Sequence, residues 1–403
     1  SSKQWVEDGF FRPESKGGIC WKNIDEVFVY SDFGEGSMTS SGYPRIAKLW
    51  QRGTTLEQAK VVYEGTNDDM YIAAYHDDST GFEREFVSRT LAFYNDELYL
   101  IKVDGSLAKI DAPNSAQKNV HKQYLMLELR EAWLVAGQQY DAGSLLVADF
   151  DAYMHGVREF TVLFSPTNNR SLAAYAWTKN FLLLNVLDDV KNKINVLDPS
   201  NNWQLQPLPG APAFGTLTIS ALDDEFSDQY FLTVSDYLTP TTLMIGDVAY
   251  APEIIKQLPH FFDASQHEVS QHFTASVDGE RIPYFMISPK NMPHNGSNPT
   301  LLYGYGGFEI SLTPNYSASV GRAWLSRGGV FVVANIRGGG EYGPRWHQAA
   351  LREKRHRAYE DFAAVANDLI AQNITSPKYL GIQGGSNGGL LMGNMITEYP
   401  QLF

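Results

Sequence analysis

The amino-acid sequence predicts a mainly β-stranded domain, interpreted as a β-propeller of about five blades, followed by an α/β domain. Three observations carry this prediction. Short apolar runs separated by turn residues fill residues 20–257, with little helical periodicity. After Pro259, apolar strands alternate with helical patterns. The length of 403 residues is enough for two cores, because single cores stop growing near ~250–300 residues.

We place the first domain at residues 1–258. Its apolar runs form groups at residues 27–63, 72–110, 124–164, 172–205 and 217–245, and the second group includes a predicted strand at Leu91–Tyr94. The groups recur every ~40–50 residues, which is the size of a four-stranded propeller blade. A blade cannot bury both faces alone, so stacking around an axis is the natural arrangement. Because the repeat lacks a Trp-Asp or kelch-like signature, a pair of β-sandwiches is the alternative.

The second domain, residues 259–403, begins with a predicted hairpin, Thr274–Val277 and Ile282–Ser288. Strands and helices then alternate, at Thr300–Tyr303, Val330–Asn335, Glu360–Ala371, Tyr379–Gln383 and Leu390–Glu398. The first of these helices has apolar residues at i, i+3, i+4, i+7 and i+8, which form one apolar face. The fully apolar run Val330–Ala334 is typical of a strand in a parallel sheet that is covered on both faces.

Composition excludes several classes of partner. The formal net charge is −14 and no basic stripe is present, so a nucleic-acid surface is not expected. No apolar run approaches the ~18 residues of a membrane span, so no membrane partner is expected either. Cys20 is the single cysteine and cannot form an intrachain disulfide.

The motif Gly384–Gly389 fits the pattern G-x-S-x-G, with Ser386 at its centre. It follows a predicted strand and precedes a predicted helix, where a sharp turn lifts the serine hydroxyl above the sheet. The helix N-terminus below it offers unpaired N–H groups to an oxyanion. A second segment, Tyr303–Phe308, follows an early strand, the position from which hydrolases of this fold supply another oxyanion donor. The alternative for Gly384–Gly389 is a glycine-rich loop that binds phosphate or only turns the chain, and the alternative for Tyr303–Phe308 is a structural turn.

Several segments together resemble the catalytic domain of the prolyl oligopeptidase family. In chain order they are Leu302–Phe308, Thr313–Ser317, Ala334–Gly343, Thr375–Lys378 and Gly384–Leu391. The resemblance covers residues 275–403 closely and the preceding β-rich region loosely, as the family's propeller would. It implies an α/β-hydrolase fold for the second domain, of which this chain would hold the first part.

The resemblance implies roles for four residues. Ser386 would be the nucleophile, and the Asn387 N–H and the Tyr305 hydroxyl would form the oxyanion hole. Phe308 would line the pocket for the side chain before the scissile bond. The family's catalytic aspartate and histidine follow the serine, whereas the 17 residues after Ser386 contain neither. We therefore expect this chain to be inactive alone. The family's propeller has seven blades, whereas about five are predicted here, so the resemblance also implies that this chain is an internal fragment.

The implied function is a serine endopeptidase or oligopeptidase that cleaves short peptides, with proline preferred before the scissile bond. No metal or organic cofactor is implied, and a cytoplasmic location is expected, with a periplasmic one as the alternative. An esterase or aminopeptidase of the same fold would use the same serine. A propeller interaction protein with a degenerate hydrolase half is a third possibility.

Two pairs of histidines and one glycine-rich loop are candidates for other chemistry. His267 and His272 lie five residues apart, not four as in the zinc motif H-E-x-x-H, so a zinc site is not expected. His347 and His356 precede Ser386, and we expect them to be packing or surface residues and not the catalytic base. The loop Gly338–Gly343 lacks the Gly-Lys-Ser/Thr ending of a phosphate-binding loop and is expected to border the active site.

Overall fold

The computed structural model describes residues 4, 6–7 and 9–403. The chain falls into two compact units, residues 1–164 and 165–403. The predicted domain boundary, at residues 258 and 259, lies inside the second unit. It falls where the last antiparallel sheet of that unit gives way to a mixed sheet.

The described residues of the first unit form three four-stranded antiparallel sheets. The first sheet contains β1 (Gly18–Asn23), β2 (Glu26–Tyr30), β3 (Ile46–Gln51) and β4 (Lys60–Glu64). The second contains β5 (Tyr71–Asp77), β6 (Arg84–Ala92), β7 (Asn95–Ile101) and β8 (Leu107–Lys109). The third begins with β9 (Gln117–His121) and β10 (Tyr124–Glu128), which are followed by a separate hairpin, β11 (Trp133–Val135) and β12 (Gln138–Tyr140). It is completed by β13 (Leu145–Asp149), the short helix α1 (Phe150–Met154) and β14 (Thr161–Phe164).

The second unit begins with two more sheets of the same kind. One contains β15 (Arg170–Trp177), β16 (Leu182–Asp188), β17 (Lys191–Asp198) and β18 (Gln204–Pro207). The next contains β19 (Thr216–Ala221), β20 (Gln229–Ser235), β21 (Thr242–Asp247) and β22 (Tyr250–Gln257). Buried aliphatic side chains of both sheets, among them Leu183, Val196, Leu217 and Leu232, form one core between them. Each sheet thus buries a face that it could not bury alone.

The rest of the second unit is a five-stranded mixed sheet with helices. Its elements are β23 (His267–Ala275), β24 (Arg281–Pro289), β25 (Thr300–Tyr303), α2 (Ala318–Ala323), β26 (Val330–Ala334), α3 (Pro344–Gln348), α4 (His356–Ala371), β27 (Leu380–Gln383) and α5 (Asn387–Glu398). The strand order is β23-β24-β26-β25-β27, with β25 parallel to both β26 and β27. Single turns of 3₁₀ helix lie at Leu56–Gln58, Pro199–Asn201, Leu325–Arg327, Arg352–Lys354 and Pro400–Leu402.

The mixed sheet is covered on both faces. Alternate side chains of a strand point to opposite faces, so Tyr284 packs into the same core as Phe362 of α4, whereas Phe285 packs with Tyr237 and Tyr316. All five residues of β26 are buried, as its apolar sequence predicted. The sheet is not purely parallel, because β24 pairs with β26 in the antiparallel direction.

Most predicted elements are confirmed, with shifted ends. Five four-stranded sheets occur among the described residues, one for each predicted group of strands. The predicted strand Leu91–Tyr94 is wrong, because β6 ends at Ala92 and the chain turns at Tyr94, whose φ is 60°. The predicted helices Glu360–Ala371 and Leu390–Glu398 are α4 and α5, and each begins a few residues earlier than the apolar pattern indicated.

Candidate active site

Ser386 lies in the abrupt turn between β27 and α5, with φ 54° and ψ −118°. This conformation is costly for a residue with a side chain, on the order of 1–3 kcal/mol, and is maintained only where the surroundings enforce it. One enforcing contact comes from the next turn, where a Cβ on Gly388 would lie 2.7 Å from the Gly304 carbonyl oxygen. The close approach therefore requires glycine, and the serine is exposed beyond the carboxyl end of β27.

The N-terminus of α5 presents an unused donor beside the serine. The N–H groups of Gly388 and Gly389 donate to the carbonyl oxygens of Gly385 and Ser386, both at 2.8 Å. In the part of the chain that the structure describes, the Asn387 N–H has no such acceptor. A free N–H at the positive end of a helix dipole is suited to an anionic oxygen.

The segment that carries Tyr305 is fastened directly to this turn. The Asn387 side-chain amide donates to the Tyr305 carbonyl oxygen at 2.7 Å. A Cβ on Gly307 would lie 2.3 Å from the Asn387 Nδ2 atom, so the two segments are in contact there. The structure thus brings the Tyr305 segment, Ser386 and Asn387 together, although they are far apart in sequence.

Arg355 also joins these two segments, although no sequence motif pointed to it. Its guanidinium donates to the Asn387 Oδ1 atom at 3.2 Å and to the Gly306 carbonyl oxygen. Its charged group also lies 5.5 Å from the centre of the Tyr359 ring. A planar guanidinium with several donors is suited to bridging two acceptors in this way.

Phe308 follows Gly306 and Gly307 in the chain, and its side chain is exposed, 49% accessible. Phe308 and Glu309 both have left-handed backbones, with φ values of 51° and 53°. Two successive bulky residues in this region are rare and require outside support. The Glu309 N–H supplies part of it, since it lies 3.3 Å from the Gly338 carbonyl oxygen and 3.1 Å from the His347 Nδ1 atom.

The loop Gly338–Gly343 packs against the Phe308 segment, so it borders the candidate site as the sequence predicted. A Cβ on Gly340 would lie only 2.1 Å from the Glu309 carbonyl oxygen, which explains a glycine at this position. Glu341 is buried and its Oε1 atom accepts a bond from the Leu312 N–H at 2.9 Å. Burial raises the pKa of Glu341 to about 7.

A buried ion pair anchors the start of this loop. The Arg337 guanidinium is 2% exposed and contacts Asp361 of α4 at 2.6 Å and Asp278 at 2.6 Å. Burial opposes the charge of Arg337, but the hydrogen bonds to the two carboxylates outweigh it and hold its pKa above the usual value. The hydrogen bond from Arg337 lowers the pKa of Asp278. The loop therefore leaves β26 in a fixed direction.

The remaining histidines have structural partners. His267 and His272 both lie on β23, where His267 bonds to the Leu325 carbonyl oxygen and His272 stacks on Tyr284. His347 is buried and its Nδ1 atom lies 2.8 Å from the Gly338 carbonyl oxygen, whereas His356 is exposed. Among the described residues, no histidine forms a hydrogen bond with the Ser386 hydroxyl.

Two features are absent from the part of the chain that the structure describes. No cluster of three or more histidine, cysteine, aspartate or glutamate side chains is arranged to hold a metal ion. No described helix has the length and apolar character needed to cross a membrane.

Comparison with protein families identifies both parts of the chain. Residues 316–403 match the model of the Prolyl oligopeptidase family. Residues 1–256 match the model described as Prolyl oligopeptidase, N-terminal beta-propeller domain. The predicted fold is thereby confirmed, a partial β-propeller and the first part of an α/β-hydrolase domain, and the β-sandwich alternative is wrong.

Individual relatives agree with this result. An uncharacterized peptidase of Sinorhizobium fredii is 36% identical over 411 residues, which cover 99% of this chain and 56% of that protein. A prolyl endopeptidase of Elizabethkingia meningoseptica is 39% identical over 43% of the chain and 25% of its own length. The solved structure of a post-proline cleaving enzyme from Rickettsia typhi superposes with a TM-score of 0.88 at 33% identity, over 96% of this chain and 57% of that one. The chain therefore spans little more than half the length of such relatives.

Proposed function

The chain belongs to the prolyl oligopeptidase family, and we propose that the whole protein is a serine peptidase that cleaves short peptides after proline. The observation that carries the proposal is the turn at Ser386. An exposed serine in a strained conformation lies beside the free Asn387 N–H, and the Tyr305 segment is fastened to the Asn387 side chain. A nucleophile and oxyanion donors in one place are the requirements of acyl transfer.

In the proposed reaction, the Ser386 hydroxyl oxygen attacks the peptide carbonyl carbon while a histidine base accepts its proton. The carbonyl oxygen becomes an oxyanion, which accepts hydrogen bonds from the Asn387 N–H and the Tyr305 hydroxyl. Collapse of this intermediate breaks the C–N bond, and the histidine returns the proton to the departing amine. Water then hydrolyses the acyl-enzyme by the same steps. The family resemblance assigns the histidine and its aspartate partner to positions after Ser386.

The proposed preference for proline is supported by Phe308. Its exposed aromatic side chain offers an apolar surface at the edge of the site. A pocket for arginine or lysine would require a carboxylate, because an unpaired cation in an apolar site is strongly disfavoured. The post-proline cleavage named for the Rickettsia typhi relative agrees with this preference. Short substrates are proposed because the family's propeller restricts entry.

The test uses the whole protein and four matched peptides, with Pro, Ala, Arg or Phe before the scissile bond, together with a matched ester. We expect the highest kcat/KM for the proline peptide and no turnover for Ser386→Ala. A preference for arginine would contradict the proposed specificity. Turnover of the ester alone would favour the esterase alternative, and activity that survives Ser386→Ala would remove Ser386 as the nucleophile.

A further inference from the structure

Glu341 is a buried carboxyl group that has no part in the proposed reaction. Its side chain is 1% exposed, and its Oε1 atom accepts hydrogen bonds from the Leu312 N–H at 2.9 Å and from the Asn335 side-chain amide at 3.2 Å. Its Oε2 atom is buried and has no hydrogen-bond partner within the described residues. Burying such a group is costly, so its presence here requires a reason.

Asn335 contributes a second contact to the same place. It is fully buried just after β26, and its amide donates to the Leu312 carbonyl oxygen at 2.8 Å. Together, Glu341 and Asn335 therefore bind both main-chain polar groups of Leu312. A loop residue held in this way by two buried side chains has little freedom to move.

Leu312 ends the segment that begins at Phe308, and the other end of this segment is also held by the loop after β26. There the Glu309 N–H faces the Gly338 carbonyl oxygen and the His347 Nδ1 atom. Between these two attachments, Phe308 and Glu309 keep their left-handed backbones. A strained conformation persists only when its surroundings fix it, so release of one end is expected to let Phe308 move.

We propose that Glu341 is a positioning residue for substrate selection, acting through Leu312 to hold the segment 308–312 and thus the place of Phe308. This inference rests on the proposed function, in which Phe308 lines the pocket for the residue before the scissile bond. Glu341 touches no reacting atom in this account. It sets the shape of the pocket wall and so the discrimination between proline and smaller residues.

A glutamine should be able to replace Glu341 in this role. Its amide oxygen can accept both hydrogen bonds now made to Oε1, and its NH₂ group is a donor where Oε2 now lies. Asn335 Oδ1 and the Tyr237 hydroxyl are among the other buried oxygens that have no hydrogen-bond partner within the described residues. The raised pKa of Glu341 agrees with a site that tolerates the neutral form.

The experiment compares Glu341→Ala and Glu341→Gln in the whole protein. For Glu341→Ala we expect the ratio of kcat/KM between the proline and alanine peptides to fall by ~10-fold or more, since pocket contacts of this kind discriminate by ~10–200-fold. Most of the fall in kcat/KM for the proline peptide should come from a higher KM, because the pocket wall binds the ground state and the transition state alike. Glu341→Gln should restore the ratio to within ~3-fold of the native value.

The matched control is Asn298→Ala. Asn298 is also a buried amide that holds two main-chain groups, the Pro293 and Ile374 carbonyl oxygens, both at 2.7 Å, but it makes no contact with the segment 308–312. The Asn298→Ala variant should be less stable than the native protein, but its ratio of kcat/KM between the proline and alanine peptides should be unchanged. An unchanged ratio in Glu341→Ala, or an equal fall in Asn298→Ala, would overturn the proposal. Should Glu341→Ala fail to fold, Glu341→Met fills the space without an acceptor and carries the same test.

Amide hydrogen exchange separates this inference from the proposed function. Exchange at the Leu312 amide should be faster in Glu341→Ala than in the native protein, and should return to the native rate in Glu341→Gln, whether or not peptides are cleaved. Exchange that is unaffected by Glu341→Ala would overturn the positioning role even in an active peptidase. Loss of Ser386-dependent cleavage in the native protein would overturn the proposed function alone.

Discussion

Ser386 keeps its strained backbone in a turn where glycines on both sides let other parts of the backbone approach closely. A Cβ on Gly384 would meet the Gly388 carbonyl oxygen within the motif, whereas a Cβ on Gly388 would meet the Gly304 carbonyl oxygen of the segment after β25, so only part of the pattern has a local cause. Arg355 could not be predicted in this way, because its partners lie 32 and 49 residues distant in the sequence. The sequence placed Glu341 in the loop Gly338–Gly343, but did not predict its burial, because burial depends on the fold.

At the same scale, Tyr305→Phe should lower kcat in the whole protein far more than it raises KM. The hydroxyl is proposed to bond an oxyanion that exists only near the transition state, so its loss affects the chemical step. The loss of one such donor corresponds to ~2.7–4 kcal/mol, or ~10²–10³ in kcat. Steady-state kinetics on the proline peptide measure both constants, and a native kcat would leave Tyr305 as a packing residue.

Glu341 should make stability depend on pH. Its folded-state pKa of about 7 lies above the usual value of 4.5, so the folded protein keeps a proton that the unfolded chain releases. The stabilising effect of that proton is complete below pH 4.5 and is lost as the pH rises through 7. The free energy of unfolding of the native protein should therefore fall by about 3 kcal/mol relative to that of Glu341→Gln across this pH range.

Urea unfolding of both proteins at pH 4.5 and pH 8 measures this difference. Nearby titratable groups, which are Glu309, Tyr237, Tyr342 and His347, are present in both proteins and cancel in the comparison. Burial raises the pKa values of Tyr237 and Tyr342 well above this range, and for Tyr342 the hydrogen bond to Asp189 is the next largest cause. A stability difference that stays constant with pH would show that Glu341 is not protonated in the folded protein near neutrality.

At the scale of elements, periodicity predicted the strand groups and the helix–strand alternation well, because burial on one face or both imposes it. It failed at Leu91–Tyr94, where aromatic residues of high strand propensity occupy a turn. Phe93 is 65% exposed there, so these side chains contribute nothing to the core. The short helix α1 was also missed, because five residues are too few to show a helical period.

The ion pair between Arg337 and α4 should be essential for the second unit. Asp361→Ala would leave the Arg337 charge buried, with the more exposed Asp278 as its main partner. Removing one partner of a buried ion pair lowers the free energy of unfolding by ~3–5 kcal/mol. The matched control is Asp278→Ala. The Asp278 side chain is 36% exposed in the native protein, so its removal should lower the free energy of unfolding by less. Equal midpoints of urea unfolding for the two variants would contradict the assigned anchoring role of Asp361.

At the scale of the whole molecule, the β-propeller and the hydrolase portion follow each other in one chain of 403 residues. We propose that residues 1–403 alone lack Ser386-dependent turnover, because a serine without its base is a weak nucleophile. Removal of catalytic partners in such enzymes lowers turnover by ~10⁴–10⁶. Assays of the purified chain on peptides and esters test this, and turnover abolished by Ser386→Ala would show that another residue supplies the base.

Covalent labelling tests whether Ser386 is the nucleophile of the whole protein. A fluorophosphonate reacts with activated serines, so we expect one equivalent of label, located by mass spectrometry on the peptide that contains Ser386, and a loss of peptidase activity in proportion to labelling. Ser386→Ala should take up no label. Label on a different residue, or full activity after Ser386 is modified, would show that Ser386 is not the nucleophile.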